Sequence, residues 1–290
     1  MMTTRDDIER DEGSADPGEG REQVLVGPEW LAAHLSDPDV RVVEVDVSPA
    51  AYDDGHVDGA VLWNVYRDLK DPDYRLNGTA ALESLLARSG IGPATTVVFY
   101  GYAPAMGLWL MRLLRHPNAR ILDCSRETWR TEGHPWSSTA PEPGTGTRRL
   151  GARDHGVRAD QALVREAIGR PGVRLIDVRS IAEYDGDRFW PSGALEPNGR
   201  AGHIPTAVHQ PIDDLYDQRG AFRTADELRH VFSASDLDSD DELITYCAIG
   251  GRAATTWLVL THLLGRDRVR VYDGSWAEWG RTADLPVDAP

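Results

Sequence analysis

The chain has only two cysteines, Cys124 and Cys247, among 290 residues. That is too few for a disulfide framework, which points to a reducing cytoplasm and leaves each thiol free for chemistry. Positive charge is also scarce: 31 Lys and Arg face 47 Asp and Glu, a formal net charge of −16. A field of that sign repels nucleic acid and anionic membranes, so neither is expected as a partner. It also means that an anionic substrate must be drawn in by a local basic site. No apolar run is long enough to span a bilayer, and the N-terminus MMTTRDDIERDEGS is too acidic and polar for a secretory signal. No His/Cys cluster has ligand spacing, so no metal and no other cofactor is expected. What is present, 41% hydrophobic and 27% charged residues, is ordinary for a soluble globular protein of one large or two medium domains.

Residues 1–22 hold eight acids and almost nothing apolar, so they are expected to be a disordered acidic tail. From there the pattern alternates between strand and helix. VRVVEVDV (40–47) reads as a buried strand, TAALESLLARSG (79–90) as an amphipathic helix closed by Gly90, TTVVFYG (95–101) as a strand and GLWLMRLLR (107–115) as a helix. Such alternation predicts an α/β fold built on a mainly parallel sheet flanked by helices. Residues 137–157, rich in Ser, Thr, Pro, Gly and Arg, read as a linker between domains at 23–136 and 158–290. After it the order repeats: GVRLIDVRS (172–180) answers VRVVEVDVS, GHIPTAV (202–208) answers GHVDGAV, and VRVYDGSWAEW (269–279) answers ARILDCSRETW. A duplication with matched order predicts two copies of one fold.

The most informative stretch is ELITYCAIGGRAATTWLVLTHLL, which starts at Glu242. It reads as a buried strand, a loop of Cys247, Ala248, Ile249, Gly250, Gly251 and Arg252, and a helix whose first turn faces that loop. Such a loop aims backbone N–H groups inward at the positive end of a helix, and Arg252 adds a guanidinium. A thiol there is expected to ionise readily and to act as a nucleophile. The commoner fate of a cysteine, an inert buried thiol, fits this context less well.

These residues resemble the active loop of the rhodanese family of sulfurtransferases in its tandem two-domain form. The likeness is greatest to actinobacterial thiosulfate and 3-mercaptopyruvate sulfurtransferases with a CxxGxR loop. It continues through VYDGSWAEWG (271–280) and covers roughly residues 23–290. The resemblance implies ping-pong transfer of a sulfane sulfur from a small anionic donor, 3-mercaptopyruvate or thiosulfate, through a Cys247 persulfide. The acceptor would be a thiol, cyanide, thioredoxin or a sulfur carrier. It also implies that Arg179, at the end of the strand 173–178, and Arg200, before the GHI turn, help to hold the donor.

The copies differ where chemistry is expected. Tyr100 pairs with Tyr246 at an offset of 146 and Leu113 with Leu263 at 150, so the first copy lacks four residues at the loop. There GYAPAMG replaces the cysteine and the arginine, and Asp46 stands where the second copy has Arg179. The first copy is therefore expected to be catalytically silent and to wall the cleft. The second copy gains an insertion, 185–199, whose Phe189, Trp190 and Pro191 could shape the mouth of the site or pack the domains together. His56 and His203 sit in matching turns; both read as turn-holding residues, with proton relay from His56 the functional alternative. Cys124, in the place of Gly274, reads as a filler, with a resolving thiol as its alternative.

Within the loop, Ala248 and Gly251 stand where thiosulfate-using relatives have a cation and a glutamate, which leaves the donor open. A phosphatase loop of this fold needs five residues between Cys and Arg, and here there are four. The remaining alternative is a persulfide-carrying donor or regulatory module dedicated to a biosynthetic pathway, weakly active on the standard donors.

Overall fold

The computed structural model describes residues 17–144, 148–212, 215–232 and 239–289. In chain order the first half contributes β1 (Leu25–Val26), β2 (Val40–Asp46), β3 (His56–Val57), β4 (Val61–Asn64), β5 (Thr96–Gly101), β6 (Ala119–Leu122) and β7 (Trp136–Ser137). The second half contributes β8 (Arg158–Ala159), β9 (Val173–Asp177), β10 (Val208–His209), β11 (Glu242–Tyr246) and β12 (Val269–Tyr272). These form two five-stranded sheets, ordered β1-β6-β5-β2-β4 and β10-β9-β11-β12-β8, and one small sheet of β3 and β7. Every pairing in the two large sheets is parallel. Read backwards, the second order repeats the first, as the duplicated sequence requires. Val42, Val43, Val45, Val97, Val98 and Phe99 are all buried, the continuous apolar run of strands covered by helices on both faces.

The halves share a core. Helix Pro104–Leu113 follows β5, helix Gly251–Leu258 follows β11, and the two pack side by side. One hydrophobic cluster runs through them from Val43 and Leu108 to Trp257 and Val271.

Each half also lends a turn to the other. A bridge between Lys70 and Leu76 closes one turn, and a bridge between Tyr216 and Phe222, each 146 positions later, closes its counterpart. Leu76 donates its N–H to the Asp273 carboxylate at 2.7 Å, and Phe222 donates its N–H to Asp123 at 2.8 Å. Each aspartate also holds an arginine that opens its own half: Arg158 on Asp273 at 2.6 Å, Arg21 on Asp123 at 2.8 Å.

The N-terminal region corrects one expectation. Residues Pro17–Val24 form a helix rather than part of a disordered tail. Composition missed it because the helix is held by tertiary contacts: Arg21 donates to Asp123 and to the carbonyls of Phe222 and Arg223, Val24 is buried in the main core, and Gly20 lies against the His262 backbone. The rest of the expected tail, residues 1–16, lies outside the described residues. The described part of 137–157 runs along the first half, with N–H bonds from Gly144 to the Arg88 carbonyl and from Asp154 to the Leu113 carbonyl, both at 2.7 Å.

After Leu258 the helix widens into a π-helical turn, Val259–Leu263. Burial and the neighbouring Arg112 guanidinium push the His262 imidazole down to about 4. Arg112 belongs to the first half, so this pair spans the shared core. An unfolded histidine titrates near 6.5, so the folded state takes up its proton later. Stability is therefore present above pH ~6.5 and is lost as pH falls toward 4, by up to about 3 kcal/mol. Chemical denaturation at stepped pH should show that loss in the wild type, and His262→Gln should reduce it.

Candidate active site

β11 ends at Tyr246, and the chain turns through Cys247, Ala248, Ile249 and Gly250 before the helix starts at Gly251. Gly250 has φ of +98°, and a Cβ there would stand 3.0 Å from the Asp273 carbonyl oxygen. Only glycine fits that conformation beside that neighbour. The turn aims the Gly250 N–H at the Cys247 sulfur, 3.1 Å away.

The DGSW element pins this loop from below. Cys247 donates its N–H to Ser275 Oγ at 3.1 Å. Its carbonyl accepts from Trp276 N–H, and the Ala248 carbonyl accepts from Ala277 N–H, both at 2.9 Å. Ser275 has φ of +52°, uncommon for a residue with a side chain. In that pose its hydroxyl reaches the Cys247 N–H while donating to the Tyr272 carbonyl at 2.8 Å. The serine of this element thus holds the cysteine backbone directly.

Cys247 is 1% exposed and forms the floor of a cavity of about 420 Å³ between the halves. The first half contributes Val65, Tyr66, Tyr74 and, from its shorter loop, Tyr102 and Ala103. From the second half comes Trp190, in the 185–199 insertion, whose ring lies 5.5 Å from that of Tyr74. Trp190 thus both lines the cavity and joins the halves. Its neighbour Phe189 packs against Trp276.

The expected cations fall in different places. Arg252 does line the cavity, but its guanidinium is bidentate to Glu183, at 2.7 and 2.9 Å. Burial of Glu183 works against its ionisation, yet Arg252 and the Ser180 hydroxyl and N–H outweigh it and hold the carboxyl below the usual range. The pair is neutral as a unit. Its sequence signal was the capping box Ser180–Glu183, which marks a helix start but not the partner of the glutamate.

Arg179 does not reach the cavity, contrary to its expected role in donor binding. It is 0% exposed, doubly bonded to Asp177 at 2.6–3.1 Å, donates to the Gly202 carbonyl at 2.7 Å and stacks over Trp276. The first half explains why. There the buried acid is Glu44, one place in the repeat with Asp177, and its arginine is Arg126, 3.6 Å away. Arg126 occupies the place of Trp276. Both halves therefore carry an arginine for the same buried acid, supplied from different chain positions. The Asp46/Arg179 difference reflects that relocation.

Arg200 is also engaged elsewhere. It donates to the carbonyls of Leu285 at 2.6 Å and Thr282 at 2.5 Å, clamping the C-terminal segment. His56 is buried, stacked on Tyr52 at 3.8 Å, and bonded to the Tyr52 and Thr139 carbonyls. His203 stacks on Tyr184 in the same way, so both histidines hold their turns. Cys124 lies outside the cavity, and burial, with Glu132 adding to it, pushes its thiol up to about 12. A thiol that stays protonated is a poor resolving nucleophile.

Comparison with known proteins agrees with this architecture. The rhodanese-like domain matches twice, at residues 27–132 and 160–282. A putative thiosulfate sulfurtransferase SseA of Mycobacterium tuberculosis is 40% identical over 273 residues, covering 91% of this chain and 90% of that protein. A thiosulfate sulfurtransferase of Corynebacterium glutamicum is 37% identical with the same coverage. The sulfur carrier protein TtuD of Thermus thermophilus is 36% identical, covering 93% and 98%. The crystal structure of YnjE superposes with a TM-score of 0.78 at 25% identity, over 92% of this chain and 68% of that one. Wild-type EanB gives 0.77 at 22% identity, over 93% and 70%, a likeness of fold. No helix among the described residues is long and apolar enough to cross a membrane. Matched in both halves and along nearly the whole length of its relatives, this chain belongs to the rhodanese family and is a tandem-domain sulfurtransferase.

Proposed function

We propose that Cys247 is the sulfur carrier of this enzyme and that its loop residues, Ala248 to Arg252, cradle the persulfide. The observation that carries the proposal is the Cys247 sulfur on the floor of the interdomain cavity, held by the Gly250 N–H. With thiosulfate, the thiolate attacks the outer sulfur, the S–S bond of the donor breaks, and its electron pair leaves on sulfite. With 3-mercaptopyruvate, the attacked C–S bond breaks and the pair leaves on the enolate of pyruvate, which then takes a proton. In either case a thiophilic acceptor (a thiol, cyanide, thioredoxin or a protein carrier) removes the outer sulfur and restores the thiolate. The composition favours the cytoplasm as the compartment. The name of TtuD supports protein-directed sulfur delivery as a second reading of the acceptor half.

The cavity favours an organic donor. Thiosulfate is a compact dianion whose sulfonate needs cations close to the attacked sulfur. Ala248 supplies none, Arg252 is neutralised by Glu183, and the other walls carry the rings of Tyr66, Tyr74, Tyr102 and Trp190 and the Glu196 carboxylate but, among the described residues, no further cation. A missing charge-assisted hydrogen bond costs about 1.5–3 kcal/mol, roughly tenfold to a hundredfold in affinity. Single-turnover reactions with each donor, read by intact mass, should add one sulfur at Cys247. 3-Mercaptopyruvate is expected to exceed thiosulfate in kcat/KM, and Ala248→Arg should raise thiosulfate use. A tenfold preference of the wild type for thiosulfate would overturn the donor order. Sulfur on any other residue would overturn the site.

A further inference from the structure

Of 31 cationic side chains in the sequence, 30 are arginine and one, Lys70, is lysine. That lysine lies in the first half, yet its side chain is 1% exposed and points under the catalytic loop of the second. Its ammonium donates to the Asp273 carbonyl oxygen at 2.6 Å. The same oxygen is the atom that a Cβ on Gly250 would approach to 3.0 Å, and Gly250 is the residue that donates to the Cys247 sulfur. One carbonyl therefore separates the ammonium from the turn that holds the nucleophile.

Charged groups face the loop from both sides. On the cavity side Arg252 is matched by Glu183, with Tyr66 and Tyr102 beyond. On the buried side Asp273 is matched by Arg158 at 2.6 Å, while Lys70 stands 3.8 Å from that carboxylate. Glu278 also faces this cluster, but burial pushes its carboxyl up, toward the neutral form, and Tyr272 donates to it at 2.8 Å. Of these groups Lys70 is the cation held on the carbonyl that packs against Gly250, beneath Cys247. The interface repeat makes the same point. The position equivalent to Lys70 in the other turn is Tyr216, and that turn docks under the half that has no cysteine in its loop. The ammonium is present only beneath the loop that has a sulfur to ionise.

We infer that Lys70 is a positioning residue for sulfur transfer: the silent half supplies, through the interface, the buried counter-charge for the thiolate and persulfide anions of Cys247. This rests on Cys247 being the sulfur carrier. It assigns the missing cation to the far side of the loop, where it stabilises the sulfur anion without touching the donor. Burial pushes the ammonium down, and Asp273 first and Cys247 next oppose that shift, so an anion on the sulfur and the ammonium favour each other. Lysine suits the place because a compact ammonium fits under one carbonyl where a guanidinium fork does not.

The test compares wild type, Lys70→Met and Lys70→Arg for alkylation of Cys247 by iodoacetamide and for single-turnover persulfide formation, each across pH. An opposite charge close to an ionising group favours its charged form, by about 1–3 units at direct range. Lys70→Met should therefore react at least about tenfold more slowly at neutral pH and recover in alkali, with Lys70→Arg between it and wild type. An equal loss at every pH, with the profile unmoved, would show that Lys70 only props the interface and would overturn the inference. A second measurement needs no Lys70 variant. Because the lysine is unique, protein labelled at lysine Cε gives one side-chain resonance. Its titration midpoint should fall on Cys247→Ser or on alkylation, since the neighbouring anion is lost. An unmoved midpoint would sink the coupling. Sulfur transfer surviving Cys247→Ser would instead refute the sulfur-carrier assignment, so the two failures are distinguishable.

Discussion

Cys247→Ser should abolish sulfur transfer, while Cys124→Ser should retain most of it. The hydroxyl of serine stays protonated in the cradle where a thiol can ionise, and an alkoxide forms no persulfide. The loop would survive the change, because its backbone is held by Ser275, Trp276 and Ala277 rather than by the sulfur. The loss therefore belongs to kcat, with the fold intact. Cys124 is buried, kept protonated by its surroundings and outside the cavity. Persulfide yield and steady-state rate on both variants check the expectation. Equal loss in the two would make Cys124 a chemical partner.

Asp273→Ala is expected to have the largest effect on stability. The carboxylate is 1% exposed and accepts from Arg158 and from the Leu76 N–H, with the Lys70 ammonium close by. Removing it leaves the Arg158 guanidinium and the buried Leu76 N–H without their acceptor and takes the counter-charge from the Lys70 ammonium, which keeps its hydrogen bond to the residue 273 carbonyl. Breaking a buried pair in this way costs about 3–5 kcal/mol. Because Leu76 belongs to the other half, the damage falls on the joint between halves. Denaturant unfolding should show a lower midpoint and, if the halves separate first, two transitions instead of one. Asp273→Asn, which keeps an acceptor for Leu76 and Arg158, should lie between. A midpoint for Asp273→Ala within error of wild type would show that the shared apolar core alone holds the halves.

The duplication, the alternation of strand and helix and the strand–loop–helix around Cys247 were all legible in the sequence, because each rests on local pattern: valine runs, a cysteine before two glycines, repeated turns. The loss of the cysteine and the arginine from the first copy's loop was legible for the same reason. What failed were the arginines. Arg179 looked like a gained cation because its counterpart is Asp46, but the arginine that serves Glu44 comes from position 126, which no linear comparison links to it. Arg200 satisfies carbonyls some 80 residues away. Arg252 was placed correctly beside the cavity, yet its charge depends on Glu183, 69 positions earlier. Partners of long polar side chains are set by tertiary approach, which period and spacing do not encode. One signal was there to be read: a single lysine in a chain that otherwise uses arginine throughout.

The exchange of turns between Asp123 and Asp273 has the geometry of an isologous dimer whose protomers have been joined into one chain. Tethering makes their association intramolecular, at an effective concentration that short linkers hold near the millimolar range. Two identical protomers would have to keep every residue compatible with both roles. A tethered pair is free of that demand, so one loop can shorten into a wall, Tyr102 and Ala103, while the turn beside it keeps an ammonium for its neighbour. The outcome is one cysteine-bearing loop per two folds, with Tyr102, Ala103 and Lys70 of the other fold set against it.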